Sequence, residues 1–120
     1  MPGVRVVALV PDLMTASRIE SLVAGAGGTL TRVDGPDRLP RADDVDLLVV
    51  DWGNREPAWD DAIKGWRNAA DSSHAPRVVL FGPHTDLVAH AAAREAGLGP
   101  MRARSAFFAT LPDLLSTTRG

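Results

Sequence analysis

The chain has 120 residues, of which 45% are hydrophobic and 23% are charged, and its formal net charge is -2. This length and composition are typical of one globular domain with one core, so we expect a single domain spanning residues 1–120. The near-neutral charge argues against a nucleic-acid partner, because binding to phosphate backbones usually requires a basic surface. The absence of cysteine excludes disulfides, thiolate metal sites and cysteine nucleophiles.

The hydropathy of the chain also argues against membrane association. No apolar run approaches the roughly 20 residues that are needed to cross a bilayer. The first ten residues lack the charged start and the cleavage site of a secretory signal. We therefore expect a cytoplasmic protein without a membrane partner.

The N-terminal part of the chain alternates strand and helix patterns. Residues 4–10 form a nearly unbroken run rich in valine, which is typical of a strand buried on both faces of a parallel sheet. Helical spacing of apolar residues follows from Thr15 and ends at Gly27. Residues 29–33 then predict a short second strand.

The middle of the chain contains a loop, a buried strand and a helix. Residues 34–44 hold two prolines and six charged side chains, so we expect a loop with at most one helical turn and no full second helix. Residues 45–50 predict a third strand, which ends on Asp51. A helix over residues 57–70 follows, and Pro57 is favourable in its first turn.

The C-terminal part continues the alternation. Residues 77–81 predict a fourth strand, and Thr85 is expected to cap an alanine-rich helix that ends at Gly97. Residues 101–103 are a weak pattern for a fifth strand, and residues 107–117 predict the last helix.

Strands that alternate with helices predict a parallel sheet between two layers of helices, joined by right-handed crossovers. In such a five-stranded sheet with strand order 2-1-3-4-5, function gathers where the winding direction reverses, between the carboxyl ends of strands one and three. Those strands lead to Asp12 and Asp51. Two carboxylates at one point can bind a hard cation such as Mg²⁺, and one of them could accept a phosphoryl group.

This arrangement resembles the receiver domain of two-component response regulators, over the whole chain. Asp12 follows strand one, Asp51 ends strand three and Gly97 closes the helix before strand five. Arg104 and Leu111 follow Gly97 at the intervals that receivers have for an invariant lysine and a core leucine. The resemblance implies a flavodoxin-like three-layer fold, here with the second helix shortened or missing, and places Asp51 at the phosphoacceptor position.

Several positions depart from the receiver pattern, which suggests a degenerate or pseudo-receiver. Pro11 stands where receivers have a further acid, and Gly82 stands where they have a serine or threonine that bonds the phosphoryl group. Arg104 replaces the lysine, Ser105 replaces a proline, and Met101 replaces the aromatic switch residue. Phosphoryl transfer depends on positioned charges and donors, so losing several together should lower its rate by orders of magnitude.

The remaining pocket residues have alternative interpretations. Asp12 is expected to cap the first helix in preference to binding a metal. Arg104 is expected to pair with Asp51 or Asp12 and to replace the cation by an internal salt bridge. We therefore expect no cofactor and no metal, with Asp12 and Asp51 as the ligands if Mg²⁺ binds weakly.

In receivers, the surface made by the helix before strand five, strand five itself and the last helix mediates dimerisation and partner docking. The resemblance implies a protein partner or self-association through this surface, and a plain solvated helix is the alternative. Small residues permit close approach, and methionine and arginine are enriched at interfaces. The candidate interface residues are Ala89, His90, Ala93, Arg94, Met101, Arg102 and Phe108.

The sequence thus predicts a stand-alone pseudo-receiver without enzymatic activity, which acts in signal transduction by protein contact. One alternative is a working receiver in a phosphorelay, which accepts phosphate on Asp51 with weak Mg²⁺ binding. A second alternative is a flavodoxin-like domain that binds a small ligand. That alternative is disfavoured because the segment after strand one lacks the glycines that let a dinucleotide approach the backbone.

Overall fold

The computed structural model describes residues 3–71 and 75–118. In these ranges, strands and helices alternate along the chain, with three short 3-10 turns in two of the connections. The strands are β1 Arg5–Leu9, β2 Thr29–Val33, β3 Leu47–Asp51, β4 Arg77–Gly82 and β5 Met101–Ala103. The helices are α1 Leu13–Gly25, α2 Trp59–Asn68, α3 Leu87–Glu95 and α4 Arg104–Thr118.

The strands form one parallel sheet in the order β2-β1-β3-β4-β5. Successive residues of a strand point to opposite faces of the sheet, so the buried strands supply side chains to two separate cores. One core lies under α1 and α4, and the other lies under α2 and α3. The expected three-layer fold and strand order are confirmed.

The two cores differ in their aromatic content. Under α1 and α4, the rings of Phe81 and Phe107 stack at a centroid distance of 4.7 Å, and Phe108 meets Phe107 edge-on at 5.0 Å. Under α2 and α3, the large buried side chains include Trp52 and Trp59. Both cores extend to the edge of the sheet at which the strands end.

The connection from β2 to β3 contains no full helix, as the sequence predicts. Two 3-10 turns, Pro36–Arg38 and Ala42–Asp44, take its place. The indole Nε1 of Trp66 on α2 donates a hydrogen bond of 2.6 Å to the carbonyl oxygen of Pro40. This bond holds the connection against α2.

Three helix starts differ from the sequence prediction. Asp86, and not Thr85, caps α3, because its carboxylate accepts a hydrogen bond of 3.0 Å from the backbone N–H of Ala89. Pro57 lies two residues before the first residue of α2 and is not in its first turn. The last helix begins at Arg104, directly after β5, and not at residue 107.

The fifth strand, β5, spans residues 101–103, as the weak pattern in the sequence predicts.

Within the part of the chain that the structure describes, no helix combines the length and the apolar character that crossing a membrane would require. Residues at the ends of β1, β3, β4 and β5 share one edge of the sheet, because all these strands run in the same direction. The candidate site lies at that edge.

Candidate functional site

The structure places Asp12 and Asp51 at the same edge of the sheet. Asp51 is the last residue of β3, and Asp12 follows β1 by a short connection. The two strands are neighbours, with Leu9 beside Val50 in the register. Burial is the main cause that raises the pKa of Asp51, and the negative charge of Asp12 acts in the same direction.

Asp12 is the N-cap of α1. Its Oδ2 accepts hydrogen bonds from the backbone N–H of Thr15, at 3.2 Å, and from the Thr15 hydroxyl. The hydrogen bond from this hydroxyl is the main reason that the pKa of Asp12 lies below its usual value, followed by the backbone bonds. The side chain of Asp12 therefore has a structural role that the sequence suggested.

Arg104 reaches Asp12 only through Thr15. As the first residue of α4, Arg104 extends over the start of α1 and donates a hydrogen bond to the Thr15 hydroxyl oxygen. Within residues 3–71 and 75–118, no carboxylate oxygen lies within 4.0 Å of its guanidinium. The expected direct salt bridge to Asp51 or Asp12 is therefore wrong. The buried Thr15 hydroxyl stands between the two charges and makes a chain of hydrogen bonds from Arg104 to Asp12.

Asp51 has the opposite environment. Its side chain is buried, with only 4% of the residue exposed, and its Oδ2 accepts a hydrogen bond of 2.8 Å from Asn54 Nδ2. Burial raises the pKa of Asp51, although the Asn54 hydrogen bond and the positive charge of Arg104 act in the other direction. A pocket of about 290 Å³ adjoins the carboxyl group and is lined by Asp51, Asn54, Phe81, Gly82, Pro83 and Arg104.

The position of Gly82 is too tight for a side chain unless its neighbours shift. A Cβ atom there would lie 2.7 Å from Met101 Sδ and 3.0 Å from the backbone nitrogen of Gly53. A Cβ on Gly53 would in turn lie 2.6 Å from the Pro83 ring. The two glycines therefore let the turn after β3 pack directly onto the end of β4. The sequence predicted the loss of a hydroxyl at this position, but not that backbone fills its place.

The residue after Asp51 closes the other side of this turn. Trp52 is fully buried, and its indole Nε1 donates a hydrogen bond of 2.9 Å to the carbonyl oxygen of Ala89 on α3. Met101 on β5 is buried in the same core. The space between β3, α3 and β5 is thus filled by large side chains.

The residues at this edge do not fit a complete Mg²⁺ site. Mg²⁺ prefers octahedral coordination by oxygen atoms and is usually held by carboxylates. Here Asp12 is engaged by Thr15, Pro11 offers no side-chain ligand, and one carboxylate oxygen of Asp51 accepts a hydrogen bond from Asn54. Across the described ranges, no three acidic, histidine or cysteine residues form a group that could hold a metal ion.

Part of the expected interface is wrong, because its residues belong to the cores. Ala89 and Ala93 are fully buried on the inner face of α3, and Met101 and Phe108 are also buried. Small alanines on α3 let the helix pack closely on Trp52, so their size serves the interior. On the expected surface, the side chains that remain accessible in whole or in part are His90, Arg94 and Arg102.

Exposed apolar side chains lie elsewhere, at the first turns of two helices. Leu13 and Met14 on α1 are 65% and 83% exposed, and Leu87 and Val88 on α3 are 75% and 74% exposed. Sequence reasoning missed them, although all four stand directly after a capping aspartate and outside the buried stripe of their helix. That position is the signal that could have identified them.

Comparison with known proteins supports the fold and leaves the function open. No protein-family model matches the chain, and no match was found among curated proteins. Three solved structures are similar at TM-scores of 0.67 to 0.69. Their sequence identities of 15% to 19% show a common fold and no more.

The first similar structure is a protein of Burkholderia pseudomallei that is described as related to pilus assembly. It has 19% identity over 96% of this chain and 88% of that one, at a TM-score of 0.67. The second is HP1043, an orphan response regulator of H. pylori, with 15% identity over 98% of this chain and 95% of that one, at 0.69. The third is a response regulator receiver protein of Burkholderia phymatum, with 15% identity over 94% of this chain and 95% of that one, at 0.68. The chain therefore has the flavodoxin-like fold of response regulator receiver domains.

Proposed function

We propose that this chain is a pseudo-receiver: a non-enzymatic signalling module of the cytoplasm that acts by protein contact, without ordinary phosphorylation of Asp51. It uses the receiver fold as a fixed scaffold. A protein partner or a second copy binds the accessible residues of α3, β5 and α4, among them His90, Arg94 and Arg102.

The packing of Gly82 carries this proposal. A receiver needs a hydroxyl beside its phosphoacceptor, and here a side chain on residue 82 would collide with Gly53 and Met101. Phosphoryl transfer relies on donors and charges held in position before the reaction. A side chain that supplies such a donor at residue 82 would require the Met101 side chain and the turn at Gly53 to shift.

The hydrogen-bond chain from Arg104 to Asp12 supports the same conclusion. Asp12 is satisfied by Thr15 and by the nearby positive charge of Arg104. A divalent cation would have to displace these contacts before it could bind. The arginine thereby takes over charge balance at the edge of the sheet, by way of Thr15 and without a direct ion pair.

The environment of Asp51 favours one alternative, a receiver that still accepts a phosphoryl group. Asp51 adjoins a pocket of about 290 Å³, and Arg104 and Asn54 line the same pocket. These groups could contact phosphoryl oxygens. This function would require weak Mg²⁺ binding at Asp12 and Asp51. A flavodoxin-like domain for a small ligand at this pocket is a further alternative, with no glycine-rich loop in its favour.

A titration with Mg²⁺ followed by beryllofluoride, a stable mimic of a bound phosphoryl group, tests the proposal. Backbone amide shifts of Asp51, Trp52 and Gly82 report on the pocket. We expect no saturable shift at millimolar Mg²⁺ and none on addition of beryllofluoride. A saturable response that disappears in Asp51→Asn would overturn the proposal and favour the working receiver. Asp113→Asn, on the exposed surface of α4, is the control variant.

A further inference from the structure

Two arginines from different helices lie near one aromatic ring, and one of them lies directly over it. The guanidinium carbon of Arg18 on α1 lies 3.9 Å from the centroid of the Phe108 ring, and that of Arg104 on α4 lies 5.7 Å from it. The two guanidinium groups are therefore no further apart than the sum of these distances. We call this group, with Thr15, the α1–α4 seam.

The ring holds both side chains in place. Phe108 is itself 7% exposed and packs edge-on against Phe107, so it is a rigid support. Attraction between a guanidinium and the face of an aromatic ring stabilises each stacked position. The conformational entropy of two long side chains is thus partly lost before any ligand binds, which lowers the cost of binding.

Neither arginine is neutralised by direct contact with an acid. Arg5, Arg32 and Arg55 each lie within 3.2 Å of an aspartate oxygen. In the described ranges, no carboxylate lies within 4.0 Å of Arg18 or Arg104. Both residues are exposed, and Arg104 uses one nitrogen to donate to Thr15.

A stacked guanidinium keeps its N–H groups at the edge of its plane, where they are accessible to a ligand. This planar fork matches the oxygens of a phosphate group, at N–O distances of about 2.8 Å. Two such groups from two helices can bind one small anion between them. We propose that Arg18 and Arg104 form a binding site for a small phosphate-bearing anion at the α1–α4 seam, independent of Mg²⁺ and of phosphorylation at Asp51.

The carboxylates of Asp12 and Asp51 lie near this site and lower its affinity for anions. Asp12 is turned toward Thr15, and Asp51 faces the pocket that Arg104 also lines. Their negative charges oppose an anion, so binding depends on directed hydrogen bonds from the two arginines. The ligand is therefore one with several phosphate oxygens, such as pyrophosphate or the diphosphate of a nucleotide.

A titration with inorganic pyrophosphate in the presence of a chelator tests the proposal. Chemical shifts of the arginine Nε–H groups and of the α1 and α4 amides are followed at constant ionic strength, and the nucleotide ADP is titrated in a parallel arm. We expect saturable shifts of Arg18 and Arg104 with pyrophosphate. Arg18→Gln removes one charged fork and should weaken binding about tenfold, because a hydrogen bond to a charged group stabilises a complex by an amount of that order.

Two further variants decide whether the arginine fork is responsible. Arg38→Gln is the matched control, since the Arg38 side chain is 78% exposed and lies outside the seam; it should bind pyrophosphate as the wild type does. Arg18→Lys keeps the charge without the fork and should bind with intermediate affinity. The absence of saturable shifts, equal affinities of Arg18→Gln and Arg38→Gln, or a requirement for Mg²⁺ would each overturn the proposal. Stronger binding of ADP than of pyrophosphate would identify a nucleotide as the ligand.

Discussion

The ends of β1 and β3 lie side by side, yet their aspartates are held in opposite ways. Asp12 is exposed and accepts a hydrogen bond from the Thr15 hydroxyl, which in turn accepts one from Arg104. Asp51 is buried, and the turn that follows it is held by packing. One carboxylate is thus engaged by hydrogen bonds at the surface, and the other is buried beside a pocket and accepts one hydrogen bond from Asn54. The difference shows that two neighbouring carboxylates at the ends of parallel strands can be held by different physical means in one molecule.

The largest effect is expected from opening the packed side. Trp52→Ala should lower the free energy of unfolding by about 3–5 kcal/mol, because it leaves a large cavity under α3 and removes the hydrogen bond from the indole to the Ala89 carbonyl. Denaturant unfolding measures this change. Trp66→Ala, at a half-buried tryptophan, is the control and should cost clearly less. Equal losses for the two variants would show that Trp52 has no special role in closing the turn.

A side chain at Gly82 tests the same region with a smaller change. Gly82→Ser should cost about 1–3 kcal/mol of stability, since the new Cβ would meet Gly53 and Met101. Gly25→Ser is the matched control, because nothing lies within 4 Å of a Cβ there, and it should change the stability by less than about 0.5 kcal/mol. A fully stable Gly82→Ser variant would contradict the packing argument.

On the polar side, the expected effect is smaller. Thr15→Val keeps the shape of the buried side chain but removes the hydroxyl that joins Arg104 to Asp12. We expect a loss of about 0.5–1.5 kcal/mol, as for an ordinary hydrogen bond, because solvent screens the charge of the exposed Asp12. The control is Thr110→Val, because the Thr110 hydroxyl donates only to carbonyl oxygens of its own helix. Its free energy of unfolding should fall by only a few tenths of a kcal/mol. Thermal unfolding of both variants measures the difference, and equal losses would argue against the hydrogen-bond chain.

The pH dependence of stability separates the two aspartates by sign. The pKa of Asp51 is raised by burial, so its ionised form is disfavoured in the folded state. Its contribution to stability is present below the unfolded pKa of about 4 and is lost as the pH rises through the higher folded pKa. Asp51→Asn should therefore be more stable than the wild type at neutral pH, and the gain should shrink below pH about 4.

Asp12 should behave in the opposite way. Its pKa is lowered by the Thr15 hydroxyl, so its contribution is present above the unfolded pKa of about 4 and is lost as the pH falls through the folded pKa. Asp12→Asn should be slightly less stable than the wild type at neutral pH, with no difference in strong acid. Unfolding midpoints across a pH series measure both effects. Shifts of the same sign in the two variants would contradict the contrast between the aspartates.

Most of the fold is encoded in local patterns. The apolar runs of β1 and β3 and the alternation with helices were sufficient to predict the parallel sheet, and the resemblance to receivers implied its strand order. Helix starts were harder, since Thr85 and Asp86 are both good capping residues. Only the backbone geometry decides which of them faces the first turn.

The candidate site was predictable where topology determines it, and not where packing does. Asp12 and Asp51 follow from the ends of neighbouring strands. Thr15 was missed, although a polar residue four positions before the buried Ile19 lies on the buried face of α1 and needs a partner there. No sequence pattern indicates that Gly53 packs on Gly82, because the contact joins distant segments of the chain.

The most direct test of the proposal that Asp51 does not undergo ordinary phosphorylation is treatment with an acyl phosphate and Mg²⁺, followed by mass spectrometry of the intact protein. A small phosphodonor needs no partner protein, so the result depends on the pocket alone. We predict that the mass of the chain stays unchanged. A gain of one phosphoryl group that is lost in Asp51→Asn would contradict the account and show that the enclosed carboxylate still performs receiver chemistry.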